Sequence, residues 1–451
     1  VKKYTKNRQT QTHLFNVNNA MAPKVVIIGN GISGITCARH IRKLSNYDIT
    51  VISAESKYFF SRTALMYIYM GHMKEEHTRP YEDHFWKQNR INLLQERVST
   101  IHPLENYIQL ESGEQIRYDY LVLATGSRSN KFGWPGQDSK GVQGLYNLQD
   151  LETMEQYTSG IKNAVVVGGG LIGIETVEML LSRNIHVHFL VRENSFWNLV
   201  MPPDESEMIN KLIYHHQVDL RLDTELKEIK SDETGRVRAI VTSKRDTIDC
   251  SFVALTVGVS PNIDFVKESG IQTDRGIIVD DYLQTNFKNI FAIGDCAQFK
   301  TPLPGRKPIE QVWYTGKIQG ETAARNIVGF QTPYKPGHWF NSAKFFDLEY
   351  QTYGFVPARK DENDDWFWWQ DRQGERGLRL VWEKNTKIFK GLNAMGIRLR
   401  HEMCNQWLHD HATIDKVVKE LAKANFDPEF FKGYEKEFKR SFEVTHQYIT
   451  V

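Results

Sequence analysis

Twice in this chain a short run of branched apolar residues ends in three glycines spaced G-x-G-x-x-G and opens onto a helix-length stretch. The first copy runs from Val25-Val26-Ile27-Ile28 into Gly29-Asn30-Gly31-Ile32-Ser33-Gly34. The second runs from Ala164-Val165-Val166-Val167 into Gly168-Gly169-Gly170-Leu171-Ile172-Gly173. Apolar runs this short suit strands buried on both faces. The sequence then predicts a helix from Ile35 to Leu44 and another reaching Leu181, each followed by a second strand, from Asp48 and from His186. Strand, glycine turn, helix and strand within about thirty residues make a mononucleotide-binding half. In such a turn the first glycine permits the tight reversal, the second lets the backbone approach a pyrophosphate, and the third lets helix and strand pack closely. The helix start then offers unpaired N–H groups and the positive end of its dipole to phosphate. A single glycine turn is common; two, each between an apolar strand and a helix, predict an α/β chain with two Rossmann-like, three-layer dinucleotide-binding domains.

At 451 residues the chain exceeds what one hydrophobic core organises. Residues 91–118 and 225–252 read as β-ribbons, and each closes on an apolar strand with a small-residue turn, LVLATG at 121–126 and FVALTVG at 252–258. The second unit is therefore expected as an insertion in the first. The expected division is a flexible N-terminal arm at 1–23, a first domain at 24–150 and 275–335, a second at 151–274, and a C-terminal α+β domain at 336–451. Within the last, Asp365-Trp-Phe-Trp-Trp-Gln370 is expected as a buried or interface strand with aromatics on both faces, and the charged helices of 415–445 as solvated ones.

Lys and Arg number 57 against 55 Asp and Glu, which removes any general electrostatic case for nucleic acid. No run approaches the roughly 20 apolar residues of a membrane-spanning helix. The basic first twenty residues lack the apolar core of a secretory signal. Cys37, Cys250, Cys296 and Cys404 are scattered without a close pair, the pattern expected of a reducing, cytoplasmic setting. His401, Cys404, His409 and His411 lie near one another in sequence but match no metal-ligand spacing, so no metal site is expected.

Further residues complete the site chemistry. Glu55 ends the second strand of the first unit, where a carboxylate can accept the hydroxyls of an adenosine ribose. Asn289-Ile-Phe-Ala-Ile-Gly294-Asp295 returns an apolar strand to the first domain, and Asp295 can accept from a polyhydroxyl chain. The ribityl linker of FAD is such a chain, and nicotinamide dinucleotides have none. A helix opening at Pro308-Ile-Glu-Gln311-Val312 and running through Ile327 would turn its positive end to the pyrimidine edge of a flavin. In the second unit, Val191 replaces the ribose-binding acid and is followed by Arg192 and Glu193. Arg192 can pair with a 2′-phosphate, which tips the expectation toward NADPH, while Glu193 argues for NADH because it can repel a phosphate or itself accept from the ribose.

Together these motifs resemble the two-dinucleotide-domain flavoproteins that include glutathione reductase, rubredoxin and ferredoxin reductases, the flavin module of nitrite reductase and apoptosis-inducing factor. The resemblance spans about 24–330, through both fingerprints, LVLATG, VGVSPN at 257–262 and IFAIGD. It implies that Gly29, Gly31, Ile32, Ser33, Gly34, Glu55, Arg62, Ala124, Thr125, Gly126, Gly294, Asp295, Gln311 and Val312 contact FAD. It likewise implies that Gly168, Gly170, Leu171, Ile172, Gly173, Arg192 and Gly258 serve the NADPH or NADH site. Glu175 is the catalytic candidate, orienting the nicotinamide; where relatives pair it with a lysine, Tyr67 stands instead. Thr63 takes the place of the nucleophilic cysteine of coenzyme A disulfide reductases, and a hydroxyl forms neither a charge-transfer thiolate nor a mixed disulfide. The expected activity is hydride transfer from NAD(P)H to FAD, with electrons passing to a non-disulfide acceptor: a ferredoxin or rubredoxin, a quinone or dioxygen. The alternative is a redox-sensing protein of apoptosis-inducing-factor type that works through partner contacts. The C-terminal domain, at the family's interface position, would provide those contacts or a homodimer.

Overall fold

The computed structural model describes residues 22–426 and 433–447, so the arm expected at 1–23 falls almost wholly outside the described residues. A first parallel sheet orders its strands Ile290–Ala292, Tyr120–Leu123, Lys24–Ile28, Asp48–Ser53 and Ile91–Gln95. The apolar run of the first fingerprint is its centre, with Val25 and Ile27 fully buried. The second sheet repeats the plan in the order Asp219–Arg221, His186–Leu190, Asn163–Val167, Val253–Leu255 and Val142–Gln143, again with the fingerprint strand central. The chain leaves the first sheet after Leu123, builds the second, and returns as Ile290–Ala292 beside Tyr120–Leu123.

Each sheet carries a three-stranded antiparallel ribbon, 98–117 on the first and 226–249 on the second. Ile91–Gln95, expected in the ribbon, is instead the edge of the parallel sheet, with Ile49 opposite Ile91 and Val51 opposite Leu93. A parallel edge needs a crossover, and the short helix Asp83–Gln88 lies on it.

Helices Ile32–Leu44 and Trp313–Ile327 cross at backbone range over the first sheet. A Cβ at Gly320 would lie 2.4 Å from the Ser33 carbonyl oxygen, so only glycine allows the approach. That crossing carries the start of the later helix to the mouth of the first fingerprint. The helix begins at Trp313, five residues after the Pro308 expected from sequence. The intervening strap is held in another way. The Pro308 carbonyl accepts from the Phe299 N–H at 2.8 Å, and the buried Glu310 carboxylate takes Arg306 and the Tyr334 hydroxyl (3.0 Å). With its carbonyl and carboxylate committed sideways, the strap has no helical ladder to join.

The C-terminal region is a five-stranded antiparallel sheet, ordered Phe340–Phe345, Leu348–Gly354, Phe389–Met395, Gly377–Glu383 and Asp364–Gln370. Side chains alternate across the aromatic edge strand, as strand geometry requires. Phe367 and Trp369 meet Phe438 and Tyr434 on one face, while Trp366 and Trp368 flank the Arg379 guanidinium on the other at 4.5 and 5.2 Å. The helix Glu435–Gln447 therefore exposes charge on one side and buries Phe438 and Phe442 on the other. Phe345, Phe346, Tyr350 and Met395 share one apolar cluster with Phe196, Met208 and Ile209, which seats the C-terminal sheet against the second unit. Among the described residues, no helix is long and apolar enough to cross a membrane.

Candidate functional site

A cleft of about 1080 Å³ runs from the first fingerprint turn past Glu55, along the Ala124–Gly126 turn, to the start of the second fingerprint helix. Drug-sized pockets occupy about 300–1,000 Å³, so this one has room for an extended dinucleotide. Of the expected site residues, Gly29, Gly31, Ile32, Ser33, Glu55, Arg62, Ala124, Thr125, Gly126, Leu171, Ile172, Glu175, Asp295 and Gln311 line it. Gly34, Gly168, Gly170, Gly173, Arg192, Gly258, Gly294 and Val312 do not. Most of these are turn or packing positions behind the wall, and Arg192 is exposed at the end of a strand of the second sheet.

The glycines divide as a bound dinucleotide requires. At Gly29 (φ +111°) a Cβ would sit 2.0 Å from the Ala124 carbonyl oxygen, and at Gly34 it would sit 2.0 Å from that of Gly29. Gly168 (φ +115°) and Gly173 repeat this at 2.5 Å from the Thr256 oxygen and 2.2 Å from the Gly168 oxygen. At Gly31 and Gly170 a Cβ would meet nothing within 4 Å. Outer glycines that are sterically obligatory around a middle glycine facing open space leave a cradle only a ligand fills. Neither following helix has a side-chain cap, so its first N–H groups remain for an anion.

A polar network lies along the cleft wall. Asp295 accepts from the Ser127 hydroxyl at 3.2 Å and the Tyr146 hydroxyl at 3.4 Å, and burial pushes its carboxyl above the usual range. Gln311 donates to Ser127 Oγ at 2.8 Å. Glu55 faces the cleft, but its carboxylate is already engaged by Arg62 at 2.9 and 2.5 Å and by the Leu148 N–H at 2.9 Å. A carboxylate offers about four lone-pair sites, so one remains for a ribose hydroxyl. Tyr146 was missed from sequence; it lies in the connection between the two units, where no spacing or pattern marks it. Its carbonyl holds Arg62 at 2.6 Å and its ring lies 4.7 Å below that guanidinium.

Glu175 is on the cleft side of the helix Leu171–Ser182 and has no hydrogen bond or ion pair. Burial first, and then Glu178 one turn later, pushes its carboxyl up to about 7. Tyr67 is absent from the cleft lining and stacks on His72 at 6.1 Å, while Thr63 and Met66 line the wall. Val191 is fully buried against Gly169, whose Cβ would lie 2.8 Å from the valine. Arg192 extends into solvent, held by Glu193 at 2.8 Å. All four cysteines are free and buried, and none lines the cleft. Burial raises the Cys37 thiol, the one nearest a fingerprint, away from reactive thiolate. Among the described residues no group of three His, Cys, Asp or Glu is placed to hold a metal.

The profile of the pyridine nucleotide-disulphide oxidoreductases matches residues 23–320. The NAD(P)H nitrite reductase of Bacillus subtilis is 27% identical over 317 residues, covering 69% of this chain and 38% of its own length. The chain thus spans well under half of that relative. The ferredoxin reductase subunit of 5,5'-dehydrodivanillate O-demethylase from Sphingobium sp. is 27% identical over 340 residues, 74% of this chain and 82% of that one. Among solved structures, a ferredoxin reductase from Rhodopseudomonas palustris superposes with a TM-score of 0.76 at 24% identity, covering 83% of this chain and 91% of that chain.

Proposed function

The chain belongs to the pyridine nucleotide-disulphide oxidoreductase family, and from that premise we propose that it draws hydride from NADPH and releases the electrons one at a time to a small iron–sulfur protein. It is an NAD(P)H-dependent flavin oxidoreductase without a redox disulfide. The observation that carries the choice of acceptor is Thr63, exposed on the cleft wall where a disulfide-reducing relative needs its thiol. The name of the Sphingobium relative supports the same choice.

In this reading, residues 24–150 with 275–335 hold FAD, 151–274 hold the nicotinamide dinucleotide, and 336–451 form an interface domain. FAD supplies the chemistry that accepts a hydride and gives up single electrons. The chain's own residues bind and orient. The N–H groups at Gly31–Ser33 take the pyrophosphate, Glu55 takes ribose hydroxyls, and Asp295 takes the ribityl chain from a position fixed by Ser127 and Tyr146. Gln311 and the helix start at Trp313 would hold the flavin's polar edge, and the turn at Gly170–Ile172 would hold the second pyrophosphate. Hydride transfer itself needs no side-chain acid or base, so positioning carries the step.

Anaerobic turnover with ferredoxin, and none with glutathione disulfide or coenzyme A disulfide, is the expected result. Disulfide reduction exceeding ferredoxin reduction overturns the proposal.

The preference for NADPH follows from Val191 and Arg192. A valine sealed under Gly169 offers a ribose hydroxyl no acceptor, whereas Arg192 is free to swing from Glu193 to a phosphate. Arg192→Ala is expected to lower kcat/KM for NADPH about 10-fold, the order of one solvent-exposed charge-assisted contact, and to leave NADH little changed. Glu193→Gln, which removes the competing carboxylate, is expected to raise the NADPH value. Equal or better efficiency with NADH in the unaltered enzyme sinks this part of the reading.

A further inference from the structure

Single-electron departure leaves a proton behind. NAD(P)H delivers a hydride, which is two electrons and one proton, and two one-electron acceptors remove only the electrons. One proton must therefore leave the cleft in each cycle. Among the groups along its inner wall, Arg62 is committed to Glu55, Asp295 accepts from Ser127 and Tyr146, and Tyr146, pushed far above its ordinary range by burial, donates to Asp295; Glu96, Glu111 and Asp264 lie at its outer rim.

Glu175 differs from these groups. It lines the cleft, is half-buried and carries no hydrogen bond or ion pair. Glu178 follows one turn along the same helix. Its carboxylate accepts from the Phe346 N–H at 3.2 Å, at the seam between the second unit and the C-terminal sheet. Lys344, Asp347 and His72 surround it there. The two carboxyls thus span one helical turn between the cleft and a solvent-reaching seam that carries a cation. The lysine that would have fixed Glu175 as a permanent anion is missing; Tyr67 stands at its place in the sequence and stacks on His72.

We propose that Glu175 is a catalytic proton acceptor, taking the proton a hydride leaves in the cleft once its electrons have gone and passing it through Glu178 to water. The Glu175 carboxylate gains the proton as an O–H bond. It loses the proton to Glu178, which returns it to solvent, so both carboxyls end each cycle as they began. The balance is NAD(P)H plus two oxidised one-electron acceptors giving NAD(P)⁺, two reduced acceptors and one proton. The inference rests on the proposed function only in requiring that electrons leave singly. Burial and Glu178 hold Glu175 at about 7, between the proton source and bulk water, as a relay requires. The groups that face the pair are Glu178 on its own helix, His72 from the segment after Leu65–Tyr69, and Lys344 and Asp347 from the C-terminal sheet.

The test reoxidises NADPH-reduced holoenzyme with ferricyanide, which takes single electrons and no proton, in stopped flow across about pH 5.5–8.5 (roughly a unit and a half either side of the expected midpoint). In the unaltered enzyme the reoxidation rate should rise as pH climbs through about 7, where Glu175 becomes free to accept. Glu175→Gln should remove that limb and slow the high-pH rate at least about 10-fold. Glu178→Gln removes the second carboxyl of the path and should slow the high-pH rate at least about 10-fold as well, while the loss of its negative charge moves what remains of the limb to lower pH. Infrared difference spectra should show a protonated-carboxyl band forming during the cycle that is absent in Glu175→Gln. A limb or band that survives in Glu175→Gln overturns the relay, as does an undiminished high-pH rate in Glu178→Gln. Failure to reduce ferredoxin while these ferricyanide results hold would remove the proposed partner and leave the relay standing.

Discussion

Gly31→Ala should leave a folded protein that no longer purifies with flavin, whereas Gly34→Ala, three residues on, should lose both flavin and much of its stability. Gly31 is the N-cap of the first fingerprint helix, with φ −68° and ψ −178°, a conformation any residue adopts, and its added Cβ meets nothing. The entropic gain of replacing glycine, about 0.4–1 kcal/mol, roughly offsets the poorer cap. The methyl group does, however, occupy the space through which a pyrophosphate must approach the N–H groups. Loss of that contact is expected to weaken flavin binding about 100-fold, or roughly 2.7 kcal/mol. At Gly34 the same methyl would lie 2.0 Å from a carbonyl oxygen and 3.3 Å from the Ala124 side chain, both in the sheet-to-helix packing. Alanine's helix propensity returns only about 1 kcal/mol, while overpacking against backbone costs more than about 3. Denaturant unfolding of the apoproteins and flavin titration separate the two outcomes. Equal stability of the two variants would show that the third glycine does not set the helix–strand distance.

That contrast also marks what could be read from sequence. The fingerprints are legible because each glycine answers a steric demand made within a few residues of itself or by the adjoining strand. The strands at 24–28, 163–167 and 290–292 are legible because burial on both faces demands unbroken apolar runs. Ile91–Gln95 was misassigned because its pattern suits a ribbon as well as an edge; only the crossover helix before it decides. The helix expected from Pro308 begins at Trp313 because Glu310 is drawn sideways to Arg306 and Tyr334, and a tertiary ion pair leaves no local signature. Tyr146 and the engagement of Glu55 by Arg62 are of the same kind. Tyr146 and Asp295 lie 149 residues apart, on either side of the inserted unit, and their contact exists only once the chain has returned to the first sheet.

The largest loss of stability is expected at another such invisible pair, where the second unit meets the C-terminal sheet. Glu205, fully buried in the first turn of the helix Pro203–His215, takes two hydrogen bonds from Arg379 at 2.7 and 2.9 Å and one from Asn393 at 3.1 Å. Arg379 is 1% exposed, held between Trp366 and Trp368, with a further bond to Asp204 at 2.5 Å. Arg379→Met leaves a carboxylate buried without its counter-charge, which costs about 3–5 kcal/mol. The sign of its pH dependence is fixed. Burial already raises the Glu205 carboxyl, and Arg379 is the chief opposing influence. In the variant the folded-state pKa therefore moves further above the unfolded value, so stability is fullest at acidic pH and falls as pH rises through the raised pKa. The variant should be closest to the parent at or below about pH 4 (under the unfolded value for glutamate, about 4.3) and furthest from it in alkali. Adding Glu205→Leu should restore all but about 1–2 kcal/mol, the residue left by an unpaired Asn393 amide, since Asp204 is half exposed and rehydrates. Denaturant unfolding at several pH values, with proteolysis at the 196–201 loop as a local probe of the seam, measures both effects. A double variant no more stable than Arg379→Met would mean that the ion pair orders the junction rather than merely neutralising itself. The C-terminal sheet would then be registered on the second unit by charge, with the apolar contacts of Phe345 and Tyr350 to Phe196 and Trp197 following from it.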